Sequence, residues 1–391
     1  MEIPPPVELK LPLIVPHKVL MGPGPSNAAP RILQALSQPV LGHMHPELFT
    51  IMDEIKKGIQ YIFQTKNELT LAISASGHAG LEAVMCNLLE PGDTVLVLVN
   101  GIWGERAANI AERNGAVVQK LQKSNSNDNF SIIEIENAIK GYLPKLVFVV
   151  QGESSTGIYQ PLDGIGEITR RYNCLLAVDT VASLGSVPMF MDQWKIDALY
   201  TGCQKIIGVP PGVTPISFSQ KAHNVIFNRK TKIPVYYLDM TLLGQQWNCF
   251  EKNLPRLYHH TTSANLLYAL REGLAIVADE ELENVIERHQ RCAERLYKGI
   301  ELLGLEFYIE DEVKRLPSVT TIKVPKGVDW KNVVDYAMKN YKFELSGGLG
   351  PTVGKVFRIG IMGYNATPEN IDKTLQILKE ALAYSKNDSK L

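Results

Sequence analysis

Two residues that can do chemistry together follow neighbouring apolar runs in the middle of the chain. Asp179 comes directly after residues 175–178, a run typical of a strand that is buried on both faces. Lys205 follows the next short run, 198–201, on a turn bounded by glycine and proline. A carboxylate at the end of a buried strand is costly unless it has a partner, and this lysine does not lie on a solvated helical face. The pair is therefore a candidate reactive centre.

An acid and a lysine in these positions suit the chemistry of pyridoxal phosphate. The lysine amine can form a Schiff base with the cofactor aldehyde. The carboxylate can keep the pyridine nitrogen protonated, so that the ring accepts electrons. A structural aspartate and a surface lysine would explain the two residues equally well, so their positions alone leave both interpretations open.

Two more turns after apolar runs carry residues that could bind an anion or a planar ring. The turn Ser76-Gly77-His78 opens an apolar helix, where free backbone N–H groups and the helix dipole attract a phosphate. Trp103 stands between glycines after another run, and its indole can lie flat against a planar group. Serine is also an ordinary helix N-cap and most tryptophans are core residues, so each turn is weak evidence by itself.

The apolar runs predict an α/β fold. Four of them end near residues 75, 99, 150 and 178, each in a loop that contains Gly, Ser or Asp, and helical segments lie between them. This pattern is typical of a mostly parallel central sheet with flanking helices, which binds ligands beyond the carboxyl ends of its strands. A further strand, parallel or antiparallel, is predicted over 213–219.

The length of the chain predicts two domains, because a single core stops growing below 391 residues. The proline-rich segment 1–20 is predicted to be an extended arm that lies on another surface. We place a large cofactor-binding α/β domain at 21–279. The alternating short strands and helices of 280–391 predict a small C-terminal α+β domain.

Composition excludes several classes of function. Forty basic and 41 acidic residues give a net charge of −1, without a basic stripe for nucleic acid or a membrane surface. No apolar run approaches the roughly 20 residues of a membrane span. Five cysteines without a CxxC pair suit a reducing compartment and argue against a metal site. His43 and His45 lie on a loop and share no helical face, so a cleft-edge loop is preferred to a metal site.

The tripeptide Ser389-Lys390-Leu391 matches the peroxisomal address that an import receptor reads at a free chain end. A lysine-rich tail can resemble such an address by chance. The sequence therefore predicts a peroxisomal location and an import receptor as a partner.

Taken together, the motifs resemble the fold-type I pyridoxal phosphate enzymes. Within them, the chain is similar to the class V branch that contains the alanine:glyoxylate and serine:pyruvate aminotransferases. The resemblance covers nearly the whole chain and rests on these segments: MGPGPSN at 21–27, SASGHAGLEA at 74–83, NGIWGERA at 100–107, QGESSTG at 151–157, VDTVASLG at 178–185, YTGCQK at 200–205, RLYHHT at 256–261 and SGGLGPTVGKVFRIGIMG at 346–363.

The resemblance implies a role for each residue of a cofactor site. Lys205 would form the Schiff base and then move the proton between the substrate α-carbon and the cofactor. Asp179 would pair with the ring nitrogen, Trp103 would stack on the ring, and Ser154 would bond to its hydroxyl. Further cofactor contacts would come from Ser76, Gly77, His78, Val181 and Gln204.

The resemblance also implies a homodimer with shared sites. Arg358 would grip the substrate carboxylate as a bidentate fork. The loop around Gly24 would approach the substrate. Residues from the second subunit would complete the site, with Tyr258 and Thr261 at the phosphate and Gly42 and His43 lining the cleft, and Ser154 would also face the substrate.

The implied reaction is ping-pong transamination, in which L-alanine and glyoxylate give pyruvate and glycine. The alternatives are 3-hydroxykynurenine or serine as the amino donor, with glyoxylate or pyruvate as the acceptor. The predicted peroxisomal address fits glyoxylate handling. A cysteine desulfurase of the same fold is disfavoured because no cysteine follows Cys292. A non-catalytic protein that keeps the fold would need a broken set of residues, and the expected positions are filled.

Overall fold

The computed structural model describes residues 3–123, 127–250 and 255–388. The tripeptide predicted as a peroxisomal address, Ser389-Lys390-Leu391, lies outside this part of the chain. Within the described residues, no helix combines the length and the apolar character that crossing a bilayer requires.

The strands of the described residues are, in chain order, β1 (Val19–Leu20), β2 (Leu69–Ile73), β3 (Thr94–Val99), β4 (Val117–Gln122), β5 (Leu146–Val150), β6 (Gly152–Glu153), β7 (Ile158–Tyr159), β8 (Leu175–Asp179), β9 (Ala198–Tyr200), β10 (Thr214–Phe218), β11 (Val319–Lys323), β12 (Phe343–Glu344), β13 (Ser346–Gly347) and β14 (Val356–Gly360). The α-helices are α1 (Pro30–Leu36), α2 (Pro46–Phe63), α3 (Gly77–Leu88), α4 (Ile102–Arg113), α5 (Ile132–Tyr142), α6 (Ile165–Arg171), α7 (Gln220–Phe227), α8 (Met240–Gln246), α9 (Ala264–Glu280), α10 (Leu282–Leu302), α11 (Trp330–Tyr341) and α12 (Pro368–Asp388).

The central sheet has seven strands in the order β2-β10-β9-β8-β5-β3-β4. Strand β10 runs antiparallel to both of its neighbours, β2 and β9, and the other pairs are parallel. The other strands therefore all point the same way, and their carboxyl ends meet at one edge. The predicted mostly parallel sheet is confirmed, and the strand predicted over 213–219 is antiparallel.

The sheet forms because its strands can be buried on both faces. All five residues of β2, β5, β8 and β10 are buried. Such runs, rich in valine, leucine and isoleucine, suit strands that are covered by helices on both sides. Helices α2, α3, α4 and α9 contribute buried side chains to the same core.

A second core lies under a three-stranded antiparallel sheet of order β11-β14-β13. Helix α10 contributes Leu282 and Val285 to the first core and Leu296 and Ile300 to the second, so it spans both. Near the other end of the chain, β1 pairs in parallel with β12, and Met21 packs into the second core. The domain limits at residues 20 and 279 stay a prediction.

The segment before β1 carries many exposed apolar side chains. It has a short 3₁₀ turn at Val7–Lys10 and is otherwise without regular structure. Its large hydrophobic residues are exposed by 69% or more of their surface: Ile3, Val7, Leu9, Leu11, Leu13, Ile14 and Val15. The contact of this arm with another surface stays a prediction.

His289 fixes helix α10 to the turn after β14 by two hydrogen bonds. Its Nδ1–H donates to the Val285 carbonyl at 2.6 Å, and its Nε2 accepts from the Gly363 N–H at 2.9 Å. The ring is fully buried. Burial, and then the nearby Arg288 charge, lower the pKa of His289 to about 4. The neutral ring is therefore part of the folded structure.

We expect His289 to make the stability of the fold depend on pH. The ring protonates near pH 6.5 when unfolded but only near pH 4 when folded. Its stabilising effect is thus complete above pH 6.5 and is lost as the pH falls towards 4. Up to roughly 3 kcal/mol of unfolding free energy should depend on it. Urea unfolding of wild type and His289→Gln near pH 7 and near pH 4.5 measures this dependence. If the unfolding free energy falls by the same amount between the two pH values in both proteins, His289 is not the cause.

Candidate active site

A cavity of about 140 Å³ opens at the carboxyl edge of the central sheet. It lies beyond β8 and β9, next to the start of α3 and the loop after β5. The residues around it are Ser76, Gly77, His78, Leu81, Trp103, Gly152, Ser154, Asp179, Val181, Ala182, Tyr200, Gln204 and Lys205. The structure thus brings together every residue predicted for the cofactor site within one subunit.

The Lys205 side chain ends inside the protein. Its Nζ donates a hydrogen bond to the Pro23 carbonyl, and its own carbonyl accepts from the Ser26 hydroxyl at 2.6 Å. Gly24, at φ +105°, lies so close that a Cβ there would overlap the lysine side chain. The loop around Gly24 therefore lies against the Lys205 amine, and its glycine is required by both backbone angle and contact. The approach of this loop to the substrate stays a prediction.

Burial changes the chemistry of this amine. Desolvation, and then repulsion from Arg358, lower the pKa of Lys205 to about 8. About a tenth of the amine is therefore uncharged at pH 7, whereas a solvated lysine would be almost fully protonated. An uncharged amine can act as a nucleophile or as a base.

Asp179 is held by two donors at the carboxyl end of β8. The Tyr200 hydroxyl donates to its Oδ2 at 2.6 Å, and the Val181 N–H donates to its Oδ1 at 2.8 Å. Strands β8 and β9 pair Asp179 directly with Tyr200, which fixes this contact. Burial raises the pKa of Asp179 to about 6, although both hydrogen bonds favour the carboxylate. The acid is therefore poised to pair with a cation in the cavity.

The helix α3 N-terminus and Trp103 form the other side of the cavity. Gly77 begins the helix, with Ser76 as its N-cap residue. The sequence predicts Trp103 on a turn after a strand. In the structure it lies in the first turn of α4. Its indole N–H donates to the Ser154 hydroxyl at 2.8 Å, and His78 contacts its ring edge-on with centroids 5.5 Å apart.

Arg358, on β14, reaches the same region from the second core. It is 8% exposed. Its Nε donates to the Gly347 carbonyl at 2.8 Å, and its Nη1 donates to the Ser154 carbonyl at 3.1 Å. Burial lowers the pKa of Arg358 to about 10, so the group stays charged at neutral pH. A buried cation beside Ser154 is a suitable anchor for a carboxylate.

The residues predicted to act from a second subunit lie outside this cavity. Tyr258 contacts the His43 ring, with centroids 4.6 Å apart, and its hydroxyl is 3.0 Å from the Thr261 hydroxyl. Gly42 precedes His43 on the same loop and donates its N–H to His45 at 3.2 Å. Tyr258 is 53% exposed. The four positions form a separate group, in which Tyr258 and Thr261 are exposed and Gly42 and His43 are half-buried. Their role in a partner's site stays a prediction.

Sequence reasoning missed three residues of the site: Tyr200, Glu153 and Arg106. Tyr200 holds Asp179, as described. Glu153 is fully buried behind Trp103, and Arg106 lies 2.7 Å from His78 and 5.0 Å from the centre of the Trp103 ring. The sequence pattern could have identified Glu153, because this acid follows an apolar strand closely, as Asp179 does. Tyr200 and Arg106 carried none, since strand register and helix rotation bring them to the site.

The residues around the cavity fit pyridoxal phosphate. A buried amine, a buried acid, an aromatic ring and a helix N-terminus match the aldehyde, ring nitrogen, ring face and phosphate of that cofactor. The buried Oε1 of Gln204 has no partner among the described residues. A flip of this side-chain amide, which exchanges its oxygen and nitrogen, presents N–H groups to the same space. A phosphate there could accept hydrogen bonds from them.

We expect Tyr200→Phe to impair the site mainly at low pH. Without the hydroxyl, the carboxylate form of Asp179 loses a donor, and the pKa of this acid rises further above about 6. Fewer molecules then carry the charged acid, so activity should fall about tenfold for each unit of added pKa shift on the acid side. The loss should shrink as the pH rises. A kcat/KM profile against pH measures it, and a uniform loss at every pH would contradict this reading.

Comparison with known proteins shows that the chain is similar to aminotransferases. The family model "Aminotransferase class-V" matches residues 21–374. The alanine–glyoxylate aminotransferase of Drosophila melanogaster is 55% identical over 387 residues, which cover 99% of this chain and 98% of that protein.

Solved structures agree with the fold. The alanine–glyoxylate aminotransferase of Nostoc sp. superposes with a TM-score of 0.93 at 42% identity and covers 97% of this chain and 100% of its own. The ureidoglycine–glyoxylate aminotransferase of Bacillus subtilis has a TM-score of 0.92 at 37% identity, with 95% of each chain covered. The predicted fold-type I architecture is confirmed.

Proposed function

Because the chain belongs to the class-V aminotransferase family, we propose that it transfers the amino group of L-alanine to glyoxylate, giving pyruvate and glycine. The observation that carries this proposal is the buried Lys205 amine, with a pKa of about 8, in a cavity that Asp179 also lines. The named relatives from Drosophila melanogaster and Nostoc sp. support alanine and glyoxylate as the substrates.

We propose pyridoxal phosphate as the cofactor, held by the residues around the cavity. When bound, it supplies an aldehyde that takes up the amino group and a ring that accepts electrons. The α3 N-terminus and Gln204 would hold the phosphate, and Trp103 would cover the ring. Asp179 would hold its negative charge at the ring nitrogen.

The protein's own residues then account for the proton transfer. Arg358 binds the substrate carboxylate and so orients the α-carbon towards Lys205. In the first half-reaction the Nζ of Lys205 would take the proton from the α-carbon of the amino acid and move it to the cofactor side, and in the second it would deliver a proton from that side to the α-carbon of the oxo acid. The burial of both side chains excludes water from the path of the proton.

The proposal is tested with purified protein that has been incubated with pyridoxal phosphate. L-Alanine alone should bleach the visible absorption of the bound cofactor, and glyoxylate should restore it with formation of glycine. Protein that stays colourless after incubation, or colour that L-alanine does not change, would overturn the proposal. Specificity constants for L-alanine, L-serine and 3-hydroxykynurenine, with glyoxylate fixed, decide between alanine and the alternative donors.

We expect Arg358→Lys to weaken substrate binding more than turnover. Lysine keeps the charge but cannot hold the Gly347 carbonyl, the Ser154 carbonyl and a substrate carboxylate in one plane. Losing one charge-assisted hydrogen bond corresponds to a rise in the KM for L-alanine of roughly 10- to 100-fold. Steady-state kinetics measures the change. A fall in kcat with an unchanged KM would contradict the role of Arg358 as a carboxylate anchor.

We also propose a homodimer in which each site takes residues from both subunits. The exposed Tyr258, with its neighbours His43 and Thr261, and the apolar arm before β1 support a second copy as the partner. Sedimentation of the purified protein tests the dimer. Subunits that carry Lys205→Ala, mixed and refolded with subunits that carry Tyr258→Ala and Thr261→Ala, should regain activity, because each hybrid has one intact site. No recovery in proven hybrids would exclude shared sites.

A peroxisomal location is a further proposal and rests on Ser389-Lys390-Leu391. A fluorescent protein fused ahead of the chain should collect in peroxisomes and become diffuse when the tripeptide is deleted. A diffuse signal from the intact fusion would exclude this address.

A further inference from the structure

Glu153 is a buried acid for which the proposed proton transfer has no use. It stands at the end of β6, two residues after Gln151, and has no exposed surface. Burial raises the pKa of Glu153 to about 7, against the effect of its hydrogen bonds. A carboxylate in such a place is costly unless it is well satisfied, so its contacts should show what it does.

Both oxygens of Glu153 are occupied by donors from the cavity wall. Its Oε2 accepts the Trp103 backbone N–H at 3.0 Å. Its Oε1 accepts the Ser155 N–H at 3.0 Å and the Ser155 hydroxyl at 2.6 Å. The Ser155 hydroxyl in turn accepts the Ile102 N–H at 3.1 Å. Ser155 and Glu153 therefore accept the first two backbone N–H groups of α4, those of Ile102 and Trp103.

Helix α4 has no cap of its own. Its N-cap residue is Gly101, which has no side chain, so the capping groups come from the loop after β5. A Cβ on Gly101 would overlap the Glu153 side chain, which shows how closely the two segments pack. A negative charge at a helix N-terminus is favourable. Here the helix it caps is the one that carries Trp103.

The same loop holds Trp103 and Arg358. Ser154, next to Glu153, accepts the Trp103 indole N–H through its hydroxyl and an Arg358 N–H through its carbonyl. Glu153 thus fixes the backbone of Trp103, while its neighbour fixes the indole ring and the carboxylate anchor.

We infer that Glu153 is a positioning residue, which holds the Trp103 ring against the bound cofactor and keeps Arg358 aligned with it. The inference rests on the proposed function and deepens it. This positioning role requires a carboxylate at residue 153. A glutamine has only one acceptor oxygen and would turn an N–H donor towards the N–H of Ser155 or of Trp103.

The test compares Glu153→Gln with Glu134→Gln in protein loaded with pyridoxal phosphate. Glu134 also serves a helix N-terminus, as the capping-box acid of α5, and is a matched control outside the cavity. For Glu153→Gln we expect weaker visible circular dichroism per bound cofactor, a higher dissociation constant for the cofactor and a kcat lower by roughly 10- to 100-fold. Glu134→Gln should leave all three as in wild type.

Gly101→Ala provides a second variant if Glu153→Gln does not fold. Its backbone is extended, at φ 173°, so alanine adds no backbone strain and acts through its contact with Glu153. It should change the circular dichroism in the same direction. A lower melting temperature with unchanged dichroism, cofactor affinity and kcat in both variants would overturn the inference. If wild type has no aminotransferase activity, the proposed function fails, while dichroism and cofactor affinity still decide the role of Glu153.

Discussion

Lys205→Ala will leave a folded protein with essentially no transamination. Alanine removes the amine that would bond to the cofactor and also the base that moves the α-proton. Base catalysis alone contributes about 10²–10⁴-fold, so we expect a loss at or beyond the upper end of this range. The measurement is glycine formed from L-alanine and glyoxylate, together with the loss of covalent cofactor attachment after borohydride treatment.

Lys221→Ala is the matched control for this variant. Lys221 is also partly buried, where its Nζ donates to the Cys174 carbonyl at 2.9 Å, and burial lowers its pKa as well. It does not line the cavity, so its removal should leave the activity per folded molecule unchanged. Unchanged turnover in Lys205→Ala would rule out this lysine as the reactive amine.

Asp179→Asn will bind the cofactor but turn over slowly. The amide keeps the size of the side chain and can still accept the Val181 N–H, yet it carries no charge for the ring nitrogen. Removing one partner of a buried ion pair costs about 3–5 kcal/mol, which corresponds to a kcat lower by roughly 10²- to 10⁴-fold. Steady-state kinetics at saturating cofactor measures this effect.

Asp197→Asn controls for the removal of any buried acid from the sheet. Asp197 is fully buried just before β9, at the opposite edge from the cavity, and pairs with Arg170 at 2.8 Å. This variant should lose stability and keep its activity per folded molecule. Equal kinetic losses in both variants would show that Asp179 acts through the fold and not through its charge.

The sequence was sufficient for the parts of the site that depend on where strands end. Asp179 and Lys205 meet because β8 and β9 are parallel neighbours, whose carboxyl ends share one edge. Apolar runs followed by small polar turns reveal such ends without knowledge of the strand order. The same logic placed Ser76 at the cavity, whereas Ser154 was identified by the family resemblance.

The rest depended on register and on contacts between distant segments. Tyr200 reaches Asp179 only because the ladder pairs these two residues, and a shift of one residue would turn the ring to the other face of the sheet. Arg358 enters through the packing of two cores, which no local pattern encodes, so only the family resemblance identified it. Tyr258 and Thr261 depend on a second chain and stay predictions.

The contacts of Lys205 bear on how the protein folds during its synthesis. The Lys205 side chain lies against Pro23 and Gly24. These residues follow β1, which pairs with β12 more than 300 residues later. Pairing over such a separation waits until most of the chain has been synthesised. The central sheet can therefore fold during translation, whereas the nascent polypeptide gains catalytic competence only after its final segments have emerged from the exit tunnel.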